Sequence, residues 1–430
     1  MTPARKTNYA TSMAIIAFLF FIFGFVTWIN GPLIFYVKLA FRLDTDSKAF
    51  LVTTAFYMAY FFLALPSSWI LQKINMKRGM ALGLLVMAIG TFVFGTFATH
   101  RNYSLALTGL FIIGSGLSLL QTASNPYVSI LGPIESAAQR IAVMGICNKI
   151  AGIAAPILLG TLVLHGMGDI SGKLATADAA SRVQILDEFA AGIHLPYLLM
   201  AGVLALLGAG ILFSPLPDVR AERGAKATPA VGAQDKGLFD FPHVWLGALA
   251  IFVYVGAEVM AGDAIGTYGR GFNIPLDETK FFTSFTLAAM LAGYVVGFVT
   301  IPRYVSQQRY LAISAVLGIA LTLGAFVTKG YASVGCVAAL GFANAMMWPA
   351  IFPLAIHGLG RLIERGSALL IMGIAGGAII PQAFAVLRQT HDFQAVFALL
   401  MIPCYAYIVY YAMRGHRAGL DAPSGNSRLP

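Results

Sequence analysis

Two amide side chains, Gln121 and Asn125, stand four residues apart inside a long apolar segment of this 430-residue chain. Residues four apart share one face of a helix, and Pro126 directly after them frees a backbone carbonyl and allows a bend. Together these side chains would present several hydrogen-bond donors and acceptors to a cavity. The alternative is hydrogen bonding between helices, which contributes only about 1–2 kcal/mol or less per contact in a membrane.

A second polar pair, Asn148 and Lys149, follows in the next apolar segment. A buried ammonium group must be paired, neutralised or in contact with water, so Lys149 is not expected to face lipid. Three roles stay open for Lys149: counter-ion of an acidic group, lining of a water-filled cavity, or part of an ion-coupling apparatus.

The first apolar segment contains polar and helix-breaking residues, namely Thr27, Trp28, Asn30, Gly31 and Pro32. The Gly-Pro step predicts a local break, and irregular backbone at membrane depth is tolerated where it lines a protein cavity. Trp28 lies about midway along the segment, which favours cavity lining over an anchoring role at the membrane interface.

Two carboxylates, Glu258 and Asp263, lie in a Gly-rich apolar segment. On a regular helix, residues five apart point about 140° away from each other, and the neighbouring glycines could relax that geometry. A carboxylate at bilayer depth stays protonated, pairs with a cation, or binds and releases one, so both are candidates for ion coupling. The alternatives are a structural salt bridge of Glu258, for example to Lys149, and an ordinary solvated position for Asp263 near the outer end of the segment.

These residues need membrane-spanning helices to position them. Hydrophobic residues make up 58% of the chain and charged residues only 11%, against about 25% charged residues in a soluble globular domain. This composition excludes a cytosolic enzyme, a secreted disulfide scaffold and a disordered adaptor. About 20 apolar residues cross a bilayer as a helix, and we predict twelve such spans. They lie at approximately 13–38, 50–72, 79–99, 103–130, 141–165, 194–215, 243–269, 280–302, 309–328, 331–357, 366–388 and 394–413.

The positive charges predict the orientation of the spans. Twelve spans put both termini on one side, and 17 of the 28 Lys and Arg residues lie in the connections on that side, against 10 on the other. Cytoplasmic loops carry an excess of Lys and Arg, so both termini are predicted to be cytoplasmic. The first span is too long for a signal peptide and lacks a small-residue cleavage site, so we expect it to remain in the chain.

A charged stretch rich in Ala, Gly and Pro, at 216–242, has the composition of a flexible cytoplasmic linker. It divides the chain into an N-terminal bundle, 1–215, and a C-terminal bundle with a short cytoplasmic tail, 243–430, and each bundle has six spans. The predicted fold class is therefore an all-α membrane protein with twelve transmembrane helices.

An internal repeat supports this division. Gln121, Asn125 and Pro126 have counterparts 223 residues later, at Asn344, Trp348 and Pro349. An even number of spans in each half predicts parallel repeats related by an axis along the membrane normal, so the two six-helix bundles should be pseudo-symmetric.

Several other chemistries are excluded because their sequence motifs are missing. The chain has neither a GxxxxGK[ST] phosphate loop nor an HExxH motif, so no ATP site and no metal site are expected. The formal charge of +10 is spread in short clusters between apolar runs, which argues against a nucleic-acid partner. Cys147, Cys336 and Cys404 lie far apart in apolar segments and are interpreted as small core residues.

Four stretches carry a family resemblance: GFVTWINGPLI, FYMAYFFLALPSSWI, LLQTASNPYVSILGPIESAAQRIAVMGICNKIAG and FVYVGAEVMAGDAIG. They resemble the glucose/galactose transporter branch of the fucose:proton symporter family, within the major facilitator superfamily. The similarity covers about residues 13 to 413, and the third stretch is its most specific part. The resemblance implies two six-helix bundles, a sugar site between them, alternating access by rocking, and a bacterial inner membrane.

Two positions depart from the fucose branch. Gln121 stands where that branch has an acidic residue implicated in sugar and proton handling, and Gly31 aligns with an Asp of that branch. Asn125 and Asn148 match, so they keep the sugar-binding role that the resemblance implies. If ion coupling persists in this chain, a membrane carboxylate elsewhere must provide it.

The sequence thus predicts a secondary transporter that imports a neutral hexose, glucose or galactose, by cation symport, with Na⁺ preferred over H⁺. Amides suit a neutral sugar because each can donate to one hydroxyl and accept from the next, and a Trp face can stack on the C–H side of the ring. The predicted sugar contacts are Gln121, Asn125, Asn148, Asn30, Asn344, Trp28 and Trp348, and the predicted ion-coupling residues are Glu258, Asp263 and Lys149.

Two alternatives stay open, a facilitative sugar uniporter of the same fold and an exporter of drugs or other small molecules. An exporter would be expected to have a more apolar cavity than one lined by five amides. We expect no enzymatic activity, no cofactor besides the transported Na⁺ or H⁺, and a monomer embedded in the lipid bilayer.

Overall fold

The computed structural model describes residues 9–131, 137–217 and 237–420, and this part of the chain is mostly helical. Twelve helical stretches among these residues are long and apolar enough to cross a membrane, as predicted from the sequence. The predicted linker, 216–242, falls largely outside the described residues, so the domain boundaries stay a prediction.

The first six spans contain ten helices, because short helices flank or interrupt the long ones. They are α1 (Tyr9–Trp28), α2 (Asn30–Ala40), α3 (Asp46–Ala49), α4 (Leu51–Ile74), α5 (Met76–Thr99), α6 (Tyr103–Ile130), α7 (Ala137–Leu162), α8 (Met167–Thr176), α9 (Ala179–Ala191) and α10 (His194–Phe213). Residues 166–193, which lie between the fifth and sixth predicted spans, are therefore largely helical.

The last six spans also contain ten helices within the described residues. They are α11 (Pro242–Gly262), α12 (Ile265–Arg270), α13 (Leu276–Thr279), α14 (Phe282–Thr300), α15 (Gln307–Val327), α16 (Gly330–Asn344), α17 (Met347–Ile356), α18 (Ile363–Met372), α19 (Gly376–Leu387) and α20 (Phe393–Met413).

The same spans pair in both halves, which gives the sequence repeat a structural counterpart. The first span packs on the fifth (α1 on α7, and α11 on α19), the second on the fourth (α4 on α6, and α14 on α16), and the third on the sixth (α5 on α10, and α15 on α20). The halves meet where α7 packs on α14 and where α4 packs on α18 and α19. We call this contact between the halves the seam.

Several spans are broken near the seam. Span 1 breaks between Trp28 and Asn30, and Pro32 lies in the first turn of α2, where a missing N–H is tolerated. This agrees with the break predicted at Gly31-Pro32. Span 7 breaks after Gly262, so Asp263 follows the last residue of α11 instead of lying within one regular helix.

Polar contacts join the two halves at one end of the seam. The Gln382 amide nitrogen donates to the Ser47 carbonyl at 3.0 Å, and the Gln389 amide nitrogen donates to the Ser47 hydroxyl at 3.0 Å. Arg388 Nη1 lies 3.4 Å from Asp46 Oδ2. We call the end marked by these five residues the closed face.

Candidate functional site

A cavity lies between the two halves, at about the middle of the spans. The space in it that the centres of water molecules can occupy is about 100 Å³, which is room for several waters. Seven of the ten residues that the sequence singled out line it, namely Trp28, Gln121, Asn125, Asn148, Lys149, Glu258 and Trp348. The structure therefore brings together residues from five different spans.

The cavity extends away from the closed face. Its lining runs from Trp28 to Phe20, which is eight residues nearer the N-terminus, or about 12 Å along a helix. Asn125 and Ile141, at the end of α6 and the start of α7, line the same part. The cavity thus occupies the half of the seam that lies towards the N-terminus of α1.

A buried ion pair crosses the seam at the cavity wall. Lys149 Nζ, on α7, lies 2.9 Å from Glu258 Oε1, on α11, and both residues are less than 10% exposed. The same ammonium lies 4.3 Å from the centroid of the Trp28 ring, where the ring face attracts it. Removing one partner of such a pair typically costs about 3–5 kcal/mol, because the other charge is left uncompensated.

Two amides are held in place by aromatic side chains. Trp28 Nε1 donates to Asn148 Oδ1 at 3.2 Å, and Gln121 Nε2 donates to the Tyr60 hydroxyl at 2.8 Å. An amide has both donor and acceptor groups, so the Asn148 nitrogen and the Gln121 oxygen can still bond to a ligand in the cavity.

Four tyrosines that the sequence analysis did not identify also line the cavity: Tyr57, Tyr60, Tyr254 and Tyr294. Tyr294 packs against α7 at Gly145, where a Cβ atom would lie 2.5 Å from the tyrosine ring. The signal that could have found three of them is helical spacing, since Tyr254 precedes Glu258 by four residues and Tyr60 follows Tyr57 by three.

Two predicted sugar contacts lie outside the lining of this cavity. Asn30 is fully buried, and its amide nitrogen donates to the Thr27 carbonyl at 3.1 Å. Asn344, also fully buried, accepts from the Tyr405 hydroxyl at 2.9 Å, which is a hydrogen bond between helices. Asn344 therefore does not have the same environment as its repeat counterpart Gln121.

Asp263 is also outside the cavity lining, on the side of the closed face. It is only 1% exposed, so the alternative of an ordinary solvated position is wrong. Its side chain reaches across the seam to α2, where a Cβ atom at Gly31 would lie 3.3 Å from Asp263 Oδ1. No group of three or more His, Cys, Asp or Glu side chains in the described part of the chain could hold a metal ion.

Comparison with known proteins agrees with this architecture. Residues 16–381 match the Major Facilitator Superfamily family model. A glucose/galactose transporter of Brucella abortus is 34% identical over 423 residues, which are 97% of each chain. A putative glucose/galactose transporter of Helicobacter pylori (strain J99) is 30% identical over 96% of this chain and 98% of the relative.

The fold also matches a solved structure. The crystal structure of the fucose:proton symporter FucP of E. coli, in an outward conformation, superposes with a TM-score of 0.74 at 25% identity. The match covers 94% of this chain and 98% of the other.

Proposed function

The chain belongs to the major facilitator superfamily, and from this we propose that it moves a neutral hexose across the membrane by cation symport. The observation that carries the proposal is the cavity at the seam, whose wall holds amides, aromatic rings and an ion pair that joins the two halves. The names of the relatives, glucose/galactose transporter and fucose:proton symporter, give the substrate class. An enzymatic role does not fit a member of this transporter family.

Amides and rings in the cavity suit a sugar. The Gln121 oxygen and the Asn148 nitrogen lie on one wall with Asn125, and they would bond to neighbouring hydroxyls of the hexose. Trp28 and Trp348 would offer apolar faces to the C–H side of the ring. An exporter of apolar drugs fits less well, because so many polar groups in the wall would lose hydration without gaining a partner.

The three ionisable residues would couple sugar movement to a cation. Lys149 neutralises Glu258 by a direct contact, which leaves Asp263 as a second carboxylate without an ammonium partner. Two acids and one base carry one negative charge in excess, so the group would bind one cation when its acids are ionised. The sequence favoured Na⁺, whereas the fucose:proton symporters transport H⁺ by name. The experiment below therefore tests a gradient of each ion.

The remaining parts of the proposal concern the membrane in which the chain lies, its oligomeric state, its orientation and its domains. The chain would lie in a bacterial inner membrane as a monomer with both termini in the cytoplasm. The closed face would then be the outer face, and the cavity would lie on the cytoplasmic side. Segments 1–215 and 243–430 would form the two rocking bundles, with 216–242 as their linker.

The experiment is uptake of radiolabelled glucose and galactose into proteoliposomes with an imposed H⁺ or Na⁺ gradient. One cation moving through about 150 mV would supply roughly 3.5 kcal/mol, at about 2.3 kcal/mol per 100 mV, which is enough for a few hundredfold accumulation. We expect accumulation with one of the two gradients, and we expect Glu258→Gln to abolish it. Glu278→Gln is the matched control, because that carboxylate is exposed and accepts a hydrogen bond from the Tyr331 hydroxyl.

Each outcome is informative. Hexose uptake that ignores both gradients would replace symport by the uniporter alternative. If neither hexose enters the vesicles under any gradient, the sugar assignment is wrong.

A further inference from the structure

Asp263 is an enclosed carboxylate at the seam. It is 1% exposed, and neither of its oxygens has a hydrogen-bond partner among residues 9–131, 137–217 and 237–420, although the Gly31 backbone amide approaches it. The neighbouring Thr283 hydroxyl, on α14, donates to the Gly262 carbonyl at 2.8 Å. That hydroxyl is therefore engaged elsewhere.

No ammonium or guanidinium group in the described part of the chain is in direct contact with this carboxylate. The ionisable groups that interact with it are Glu258 on α11, Lys149 on α7 and Tyr57 on α4. Lys149 is in direct contact with Glu258, and the other two groups are acids. An ionised carboxylate enclosed without a partner is strongly unfavourable, whereas its protonated form is neutral.

Contact between the two halves near the closed face creates this enclosure. Gly31, on α2, belongs to the first half, and Asp263 and Thr283 belong to the second, so the carboxylate is covered only while the halves touch. The contacts of the closed face, between Ser47 and the amides of Gln382 and Gln389, lie beyond it along the same seam. Separating the halves there would expose the carboxylate to water.

We infer that Asp263 binds the coupling cation as a proton, and that the closed face forms only when this carboxyl group is protonated. The inference rests on the proposed symport and names the ion and the site. In the open form, the halves are separated at the closed face and water solvates the carboxylate. The carboxylate then takes up a proton from this water, and the halves close over a neutral carboxyl group. When its O–H bond breaks and the proton leaves to water in the cavity, the enclosed charge favours reopening of the closed face.

The sign of the pH dependence follows from proton counting. The closed form holds one proton more than the open form, so lowering the pH favours closure, by up to about tenfold per pH unit for a single proton.

Thiol labelling at the seam tests this inference without any sugar. Ser284, on α14, is 5% exposed and donates to the Ile153 carbonyl of α7 at 2.9 Å, so a cysteine there is reachable only after the halves separate. The purified protein would carry Ser284→Cys, with Cys147, Cys336 and Cys404 replaced by Ser. Its maleimide labelling rate would be normalised at each pH to the rate of the denatured protein, because thiol ionisation itself depends on pH.

We expect the normalised rate to rise at least tenfold between about pH 5.5 and about pH 8.5, in line with one-proton linkage. Asp263→Asn, a neutral side chain of equal size, should stay at the low rate throughout. Glu188→Gln is the control, because this exposed acid of α9 pairs with Gln184 away from the seam, and it should behave as the unsubstituted protein does.

A flat pH profile in the protein with Asp263 intact overturns the inference, even if the Asn variant does not fold. A pH profile that is the same with and without Asp263→Asn also overturns the inference. The labelling needs neither sugar nor transport, so these results would leave the symport proposal to be decided by the uptake experiment alone.

Discussion

At the scale of single residues, the site combines amides that the sequence identified with tyrosines that it did not. Polar residues in a membrane span are costly, and this cost made Gln121, Asn148 and Lys149 recognisable from the sequence. Tyr60 is as much a part of the cavity, yet a tyrosine in an apolar span has too many ordinary roles to be noticed. The sequence also could not separate Asn344 from Gln121, because only packing decides which amide faces a cavity and which bonds to another helix.

The first prediction contrasts these two amides. Gln121→Ala removes a proposed hydrogen bond to the sugar, so we expect the hexose dissociation constant to rise about tenfold, since 1.4 kcal/mol corresponds to a factor of ten. Asn344→Ala instead deprives the buried Tyr405 hydroxyl of its acceptor, so it should lower stability by about 1–3 kcal/mol while hexose affinity stays unchanged. Binding of labelled hexose and thermal unfolding of both variants measure this. Equal affinity losses would place Asn344 in the sugar site after all.

The second prediction concerns the buried ion pair. Glu258→Gln leaves the Lys149 ammonium without its partner, and we expect a loss of roughly 3–5 kcal/mol in stability. The double variant with Lys149→Gln removes both charges and should recover most of that loss, but not gradient-driven uptake. The measurements are unfolding in detergent and uptake in proteoliposomes. Recovery of gradient-driven uptake in the double variant would show that the pair is structural only.

At the scale of elements, the breaks in the spans matter most. The sequence predicted the break in span 1 from Gly31-Pro32, and the structure puts it between Trp28 and Asn30. It did not predict that α11 ends at Gly262, because glycines are frequent inside membrane helices and a glycine there does not by itself mark an end. This end decides the environment of Asp263, since the carboxylate follows the last turn of α11 and reaches across the seam.

The third prediction tests the close approach of α2 at this point. Gly31→Ala places a methyl group on the Thr283 hydroxyl and within 3.3 Å of the Asp263 backbone, so the closed face should no longer form fully. We expect labelling at Ser284→Cys to become fast at every pH. Gly210→Ala, in α10, is the matched control, because a Cβ atom there meets no atom within 4 Å. Slow labelling of the Gly31→Ala protein at low pH would contradict this account of the seam.

At the scale of the whole molecule, two six-helix bundles repeat the same span pairings and meet at a polar cavity. Counting the spans and finding the internal repeat, whose counterparts lie 223 residues apart, were enough to predict the bundles. The sequence could not predict which end of the seam is closed, because that depends on contacts such as Arg388 with Asp46, between residues more than 300 positions apart.

The fourth prediction uses this contact. The side chains of Arg388 and Asp46 are 14% and 19% exposed and lie 3.4 Å apart, and Asp46 also pairs with Lys38. Because Asp46 keeps this second cation when Arg388 is replaced, the loss should be modest, about 1 kcal/mol. Arg388→Gln should therefore raise labelling at Ser284→Cys only severalfold, with the pH dependence kept. An increase as large as that of Gly31→Ala would mean that the pair of Arg388 and Asp46, not the Asp263 carboxyl group, holds the halves together.

The central claim is that a hexose binds in the cavity between the halves and crosses the membrane from there. Counterflow of labelled galactose or glucose in proteoliposomes tests it most directly, because exchange needs sugar binding and alternating access but no ion gradient. We predict saturable counterflow by the unsubstituted protein and at least a tenfold loss in Asn148→Leu, which removes the amide next to Trp28. Absence of counterflow with both sugars, or full counterflow by Asn148→Leu, would contradict the account.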